Sequence, residues 1–203
     1  MIRLGILGSG KGSNFAALLG KMPRNAEVAI VLSDRADSGI LRIAAERGIP
    51  WDVIHESRRK ARLSEEVEAQ VVKKLREAGV HLVVLAGFMR LLGRLMLDAY
   101  PRRIINIHPS LLPAFRGLEA WKQALDAGVQ ETGCTVHFVD EGMDTGEIIA
   151  QERVPVLEGD TPEVLHARIQ EAEHRLLPQV VADLCRVVEL GAARGESTGS
   201  VEG

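Results

Sequence analysis

Apolar residues fall in two rhythms along this chain, short runs rich in branched residues and longer stretches with a helical repeat, and the two alternate. Ile2–Leu7, Val28–Leu32, Trp51–Ile54, His81–Ala86 and Ile104–Ile107 read as buried strands. His81–Ala86 is apolar almost throughout, which places it centrally. Phe15–Leu19, Ser38–Arg47, Leu63–Ala78 with Ser64 as N-cap, Leu95–Ala99 and Leu118–Ala127 read as helices between them. Gly133–Val139 then alternates, with Cys134, Val136 and Phe138 on one face and Thr135 and His137 on the other. His137 reads as structural or solvent-facing, because nothing local pairs with it. A further strand runs from Glu147 to Val154.

Thr161-Pro162-Glu163 has the form of an N-cap, a first-turn proline and a favourable acid. The amphipathic helix it opens runs to Glu189, with a break or kink expected near Pro178. Residues 191–203 have no apolar periodicity and read as a disordered tail. Strands alternating with helices imply one α/β domain over residues 1–190.

Composition narrows the partners. A net charge of −3 argues against holding nucleic acid by bulk electrostatics, so any anionic ligand must be met locally. No stretch approaches the roughly 18 apolar residues that span a bilayer, and the N-terminus has no leader pattern. Cys134 and Cys185 form neither a disulfide nor a metal pattern. A reduced, cytoplasmic protein without a metal is the expectation.

Chemistry concentrates at Ile104-Ile105-Asn106-Ile107-His108-Pro109-Ser110-Leu111-Leu112-Pro113. Asn106 and His108 are two apart, so on a strand they leave the same face. Pro109 ends the strand just past them, at the carboxyl edge where open α/β sheets bind ligands. An amide there donates to charge developing on oxygen, and an imidazole moves protons near neutral pH. In Asp140-Glu141-Gly142-Met143-Asp144-Thr145-Gly146, a carboxylate beside His108 would orient the ring and raise its pKa; Asp140 and Asp144 are both candidates.

Gly8-Ser9-Gly10-Lys11-Gly12-Ser13-Asn14 joins the first strand to the first helix, an arrangement that offers backbone N–H groups to a phosphate, with Ser13 or Asn14 as cap. It matches neither a Walker A loop nor the dinucleotide fingerprint. Asp34, after the second strand, keeps a nicotinamide-binding reading open by offering a carboxylate to a ribose. Met89, Arg90, Leu91 and Leu92 follow the central strand and read as a pocket wall. Gln170 and Glu173 share a helix face.

Asn-Ile-His-Pro-Ser-Leu-Leu-Pro at 106–113 and Gly-Met-Asp-Thr-Gly at 142–146 resemble the folate-dependent formyltransferases. Gly-Lys-Gly-Ser-Asn at 10–14, Leu-Ala-Gly-Phe-Met-Arg at 85–90 and Gln-Glu-Ala-Glu-His at 170–174 narrow the resemblance to the branch that formylates glycinamide ribonucleotide in purine synthesis. The resemblance implies a Rossmann-like domain with a mostly parallel sheet of about seven strands, an antiparallel C-terminal part and helices on both faces. It implies 10-formyltetrahydrofolate as co-substrate, small-molecule partners only, and a monomer or homodimer. Asn106 would hold an oxyanion, His108 would act as general acid, and Asp144 would keep it protonated. Gly12, Ser13, Asn14, Gln170 and Glu173 would bind the ribonucleotide. Arg62 (or Arg58 or Arg59), Met89–Leu92 and Asp140–Asp144 would line a folate slot whose backbone groups read the pterin.

Arg116 also resembles methionyl-tRNA formyltransferase, and formyltetrahydrofolate hydrolase shares the core. Each carries a further domain that this chain is not expected to have.

Overall fold

The computed structural model of the chain describes residues 1–56 and 61–196. Among these residues seven strands form one sheet in the order β3-β2-β1-β4-β5-β6-β7. They are β1 (Ile2–Leu7), β2 (Ala26–Ser33), β3 (Trp51–Val53), β4 (Leu82–Leu85), β5 (Ile104–His108), β6 (Glu131–Phe138) and β7 (Ile148–Pro155). β1 to β5 pair in parallel, whereas β5–β6 and β6–β7 are antiparallel. β4, with all four residues buried, lies in the middle as its unbroken apolar run requires.

Among the described residues six helices cover the sheet: α1 (Ser13–Gly20), α2 (Gly39–Glu46), α3 (Glu65–Glu77), α4 (Arg94–Ala99), α5 (Ala120–Asp126) and α6 (Pro162–Glu196). One core joins Phe15 and Leu18 of α1, Ile40 of α2 and Leu165, Ile169, Leu177 and Val181 of α6 to one sheet face. A second joins Val71 and Leu75 of α3 and Met96 of α4 to the other. Strand parity explains the division: Ile105 and Ile107 enter the first core and Ile104 the second.

Two expectations about α6 change. Its start is as read: Thr161 Oγ1 accepts the Val164 N–H at 3.4 Å. The helix then runs through Pro178 without a break. Leu176, Leu177, Val180 and Val181 are buried around the proline, and that packing offsets the lost backbone hydrogen bond. It also continues to Glu196, so residues 191–196 of the expected tail are helical, in keeping with Ala192, Ala193 and Arg194 being good helix formers. Residues 197–203 lie outside the described residues.

Candidate active site

The order β2-β1-β4 reverses the chain's progress across the sheet between β1 and β4, and a crevice opens at such a switch point. The loops after β1 and β4 meet there, with the Ser9 N–H donating to Gly87 O at 3.0 Å. A cavity of about 840 Å³ beside them is lined by Ser9, Gly10, Asp34, Arg35, Met89 and Arg90.

Gly12, not Ser13 or Asn14, is the N-cap of α1, and no side chain caps the helix. Its φ of 83° is left-handed, and a Cβ there would lie 2.9 Å from Ile40 Cα, so only glycine fits. The first N–H groups of α1 have no partner within the helix, an arrangement that suits an anion. Asn14 turns away from capping to donate to Glu173 Oε2 at 2.9 Å. Glu173 is 5% exposed, and burial pushes its carboxyl up to about 7, with the Asn14 bond opposing. Gln170, one turn earlier on α6, lies 3.4 Å from the His166 ring, which stacks on Trp121. Loop and helix are therefore joined through Asn14 and Glu173.

Asn106 and His108 leave β5 on the face of Ile104. Antiparallel pairing sets His137 opposite Asn106 and Thr135 opposite His108, so all four share that face. Thr135 braces the proline loop: its hydroxyl donates to Ser110 O at 2.7 Å and accepts the Leu112 N–H at 3.1 Å. Asn106 Nδ2 lies 3.2 Å from His137 Nε2, and His137 Nδ1 lies 2.7 Å from Phe138 O. The carbonyl only accepts, so Nδ1 carries the proton and Nε2 accepts from the amide. His137 is thus buried and engaged, not solvent-facing. Alternation placed it on the correct face, but the β5–β6 register that supplies its partner is a long-range fact.

The loop between β6 and β7 begins at the far end of β5, where the Val139 N–H bonds Ile104 O, and crosses the face to His108. Asp144, with φ 54°, presents Oδ2 at 3.4 Å from His108 Nδ1 and Oδ1 at 3.7 Å from His137 Nε2. The Gly117 N–H donates to Oδ2 at 2.9 Å. Gly146 closes the loop so tightly that a Cβ would fall 1.8 Å from Phe138 O. Asp140 is the other acid weighed, and it spends Oδ1 on the Gly142 N–H and the Thr145 hydroxyl, at 3.0 and 2.6 Å. The choice falls on Asp144.

One electrostatic expectation is overturned. Burial lowers the His108 pKa more than Asp144 and the Phe115 carbonyl raise it, so Asp144 does not by itself hold the ring protonated. Both ring nitrogens nevertheless face oxygens, Nε2 at 2.8 Å from Phe115 O, an arrangement that suits the imidazolium once a proton arrives. Burial also raises the Asp144 carboxyl, but His137, His108 and the Gly117 N–H together hold it below the ordinary range.

The residues expected to line a folate slot lie on two loops, 89–92 after β4 and 140–144 between β6 and β7. Arg62 joins them, donating to Leu92 O and, at 3.1 Å, to Glu141 O. Arg58 and Arg59 lie outside the described residues. The Leu91 N–H bonds Ala61 O at 2.8 Å, and its carbonyl accepts from Leu63 at 3.3 Å. Met89 and Met143 are half-exposed or more on the rims. Arg90 bonds Asp34 Oδ2 at 2.8 Å, and Asp34 also accepts from Ser9. Both Asp34 oxygens are therefore engaged, and the ribose-binding role is set aside. Among the described residues no three His, Cys, Asp or Glu are arranged to hold a metal, and no helix is long and apolar enough to cross a membrane.

The family described as formyl transferase matches residues 2–181. The phosphoribosylglycinamide formyltransferase of Bacillus subtilis is 40% identical over 91% of this chain and 95% of its own length. A trifunctional purine biosynthetic protein of Gallus gallus is 43% identical over 98% of this chain, which spans 20% of that protein. The crystal structure of a glycinamide ribonucleotide transformylase from Symbiobacterium toebii superposes with a TM-score of 0.84 at 48% identity, covering 92% of this chain and 88% of the other.

Proposed function

The chain belongs to the formyl transferase family, and from that premise we propose that it moves the formyl group of 10-formyltetrahydrofolate to the amine of N1-(5-phospho-β-D-ribosyl)glycinamide. The products are formylglycinamide ribonucleotide and tetrahydrofolate, a step of purine synthesis. The observation that carries this reading is the convergence of Asn106, His108 and Asp144 on one sheet face, with Asp144 arriving from 36 positions beyond His108 at 3.4 Å.

The residues divide the work. The N–H groups of Gly12, Ser13 and Asn14 hold the ribonucleotide phosphate, and Gln170 and Glu173 hold its remaining polar groups. The folate lies between Met89–Leu92 and Asp140–Asp144, with Arg62 across the gap. As the amine nitrogen bonds to the formyl carbon, neutral His108 takes the amine proton and the carbonyl oxygen becomes an oxyanion. Asn106 keeps one N–H on His137 and turns the other to that oxyanion, an interaction worth about 3 kcal/mol in comparable sites. Asp144 stabilises the charged ring. Collapse breaks the carbon–N10 bond, and His108 returns the proton to N10. The buried, unpaired cysteines Cys134 and Cys185 support a reducing, cytoplasmic setting, and a monomer or homodimer completes the proposal.

A spectrophotometric assay with glycinamide ribonucleotide and a 10-formyl folate tests this. Folate product forms only with both substrates, and His108→Ala loses about a hundredfold or more in kcat. Absence of product, or equal turnover by His108→Ala, refutes it. Formyl folate consumed without the amine would identify a hydrolase instead.

A further inference from the structure

A closed ring of partly buried polar contacts spans the switch point, and neither the phosphate cradle nor the proton-handling residues account for it. Asp34 lies just past β2, Ser9 just past β1, and Met89 and Arg90 just past β4, three neighbouring strands of the sheet. The Ser9 hydroxyl donates to Asp34 Oδ1 at 2.6 Å and accepts the Met89 N–H at 2.9 Å. Arg90 Nε closes the ring on Asp34 Oδ2 at 2.8 Å. The Asp34 side chain is 5% exposed and that of Arg90 20%, so this ion pair is shielded as surface pairs are not.

We infer that Asp34 is a positioning residue that fixes the Gly87–Leu92 wall of the folate slot, with Ser9 as its relay. This rests on the formyl-transfer reading for what the wall faces. Ser9 belongs to the loop after β1, and its N–H also holds Gly87 O at 3.0 Å. The wall is thus tied at Gly87 by a backbone bond, at Met89 by the hydroxyl and at Arg90 by the carboxylate. Downstream, Leu91 is tied by backbone bonds to Ala61 and Leu63. Remove Asp34 and the hydroxyl loses its acceptor while Arg90 is left with a shielded charge and no carboxylate at this point. The hydroxyl that holds the Met89 N–H is then no longer anchored to the end of β2, and Arg90 loses this carboxylate, so the slot must be ordered again each time folate binds. The cost falls on folate binding, because the bonds from Ser9 and Asp34 end on Met89 and Arg90 of that wall.

The test is hydrogen exchange of the full chain with steady-state kinetics on Asp34→Ala, Asp34→Asn and Ser9→Ala. For Asp34→Ala, exchange across residues 87–92 is expected to quicken about tenfold. Its KM for formyl folate rises about fivefold or more, while kcat and the ribonucleotide KM stay within about twofold. Asp34→Asn, which keeps an acceptor for Ser9 but loses the charge, falls between. If Asp34→Ala does not fold, Ser9→Ala carries the same comparison, since it removes the acceptor for Met89 and one donor to Asp34 while leaving the Asp34–Arg90 pair. Unchanged exchange at 87–92, or equal rises in both KM values, overturns the inference. A wild-type protein that transfers no formyl group overturns the proposed function instead, and the exchange result stands apart from it.

Discussion

Asn106 and His137 face one another across β5 and β6, amide nitrogen to imidazole nitrogen at 3.2 Å. His137 is itself fixed by its proton on Phe138 O. The amide's direction is therefore set by the strand register through a buried ring, which preorganises a donor before any charge develops. Truncation to His137→Ala frees the amide to rotate. The expected result is a fall in kcat of about tenfold or more with both KM values little changed. His137→Gln, whose side-chain oxygen accepts the same hydrogen bond, should recover part of the loss. Equal effects of the two substitutions on kcat would count against the assignment.

The acid limb of the rate profile should report His108. Its pKa lies below 6.5, so kcat/KM is expected to fall off only below that value. Asp144 raises the ring's pKa, so Asp144→Asn should move the limb further down as well as slowing turnover. The same shift bears on stability. Below 6.5 the unfolded ring binds a proton that the folded ring refuses, so stability drops as pH falls. A limb above 6.5, unmoved in Asp144→Asn, would contradict this account.

Glu173 should behave in the opposite sense. Its folded carboxyl titrates at about 7 against 4.5 for the ordinary group, so the folded protein keeps a proton the unfolded chain releases. Stability is lost as pH rises through that window. Glu173→Gln keeps an acceptor for Asn14 without a buried charge. Urea unfolding at pH about 8 should show it more stable by about 3 kcal/mol, the difference vanishing near pH 4.5. Its ribonucleotide KM should rise, because the charge is lost from the cradle.

Gly12→Ala strains the backbone at φ 83° and forces a methyl against Ile40. A destabilisation of about 2 kcal/mol is expected in thermal unfolding, together with a raised ribonucleotide KM and unchanged folate KM. An unchanged melting temperature would show that the cap tolerates a side chain.

Much of this was legible in the residues themselves. The strands β1, β4 and β5 announce themselves by branched apolar runs, and the pairing of Asn106 with His108 follows from strand period alone. What escaped was set by distant partners. His137 looked idle because its amide partner lies 31 positions away. Asp34 looked available because Ser9 and Arg90 reach it only in the folded sheet. The break at Pro178 was overruled by packing on both sides of the proline. The direction of the His108 shift escaped because a sequence shows which acid is near but not how much water is shut out.

The strap from Phe138 to Glu147 is pinned at its base by a hydrogen bond of 2.9 Å between those two residues. Asp144 rides near its returning end after the long traverse from Ile104. Its span therefore works as a ruler: dropping one residue between 140 and 143 would leave β6 and β7 zipped yet pull the carboxylate short of the imidazole. Enzyme shape and enzyme rate would then part company, with an intact sheet carrying a mistimed proton.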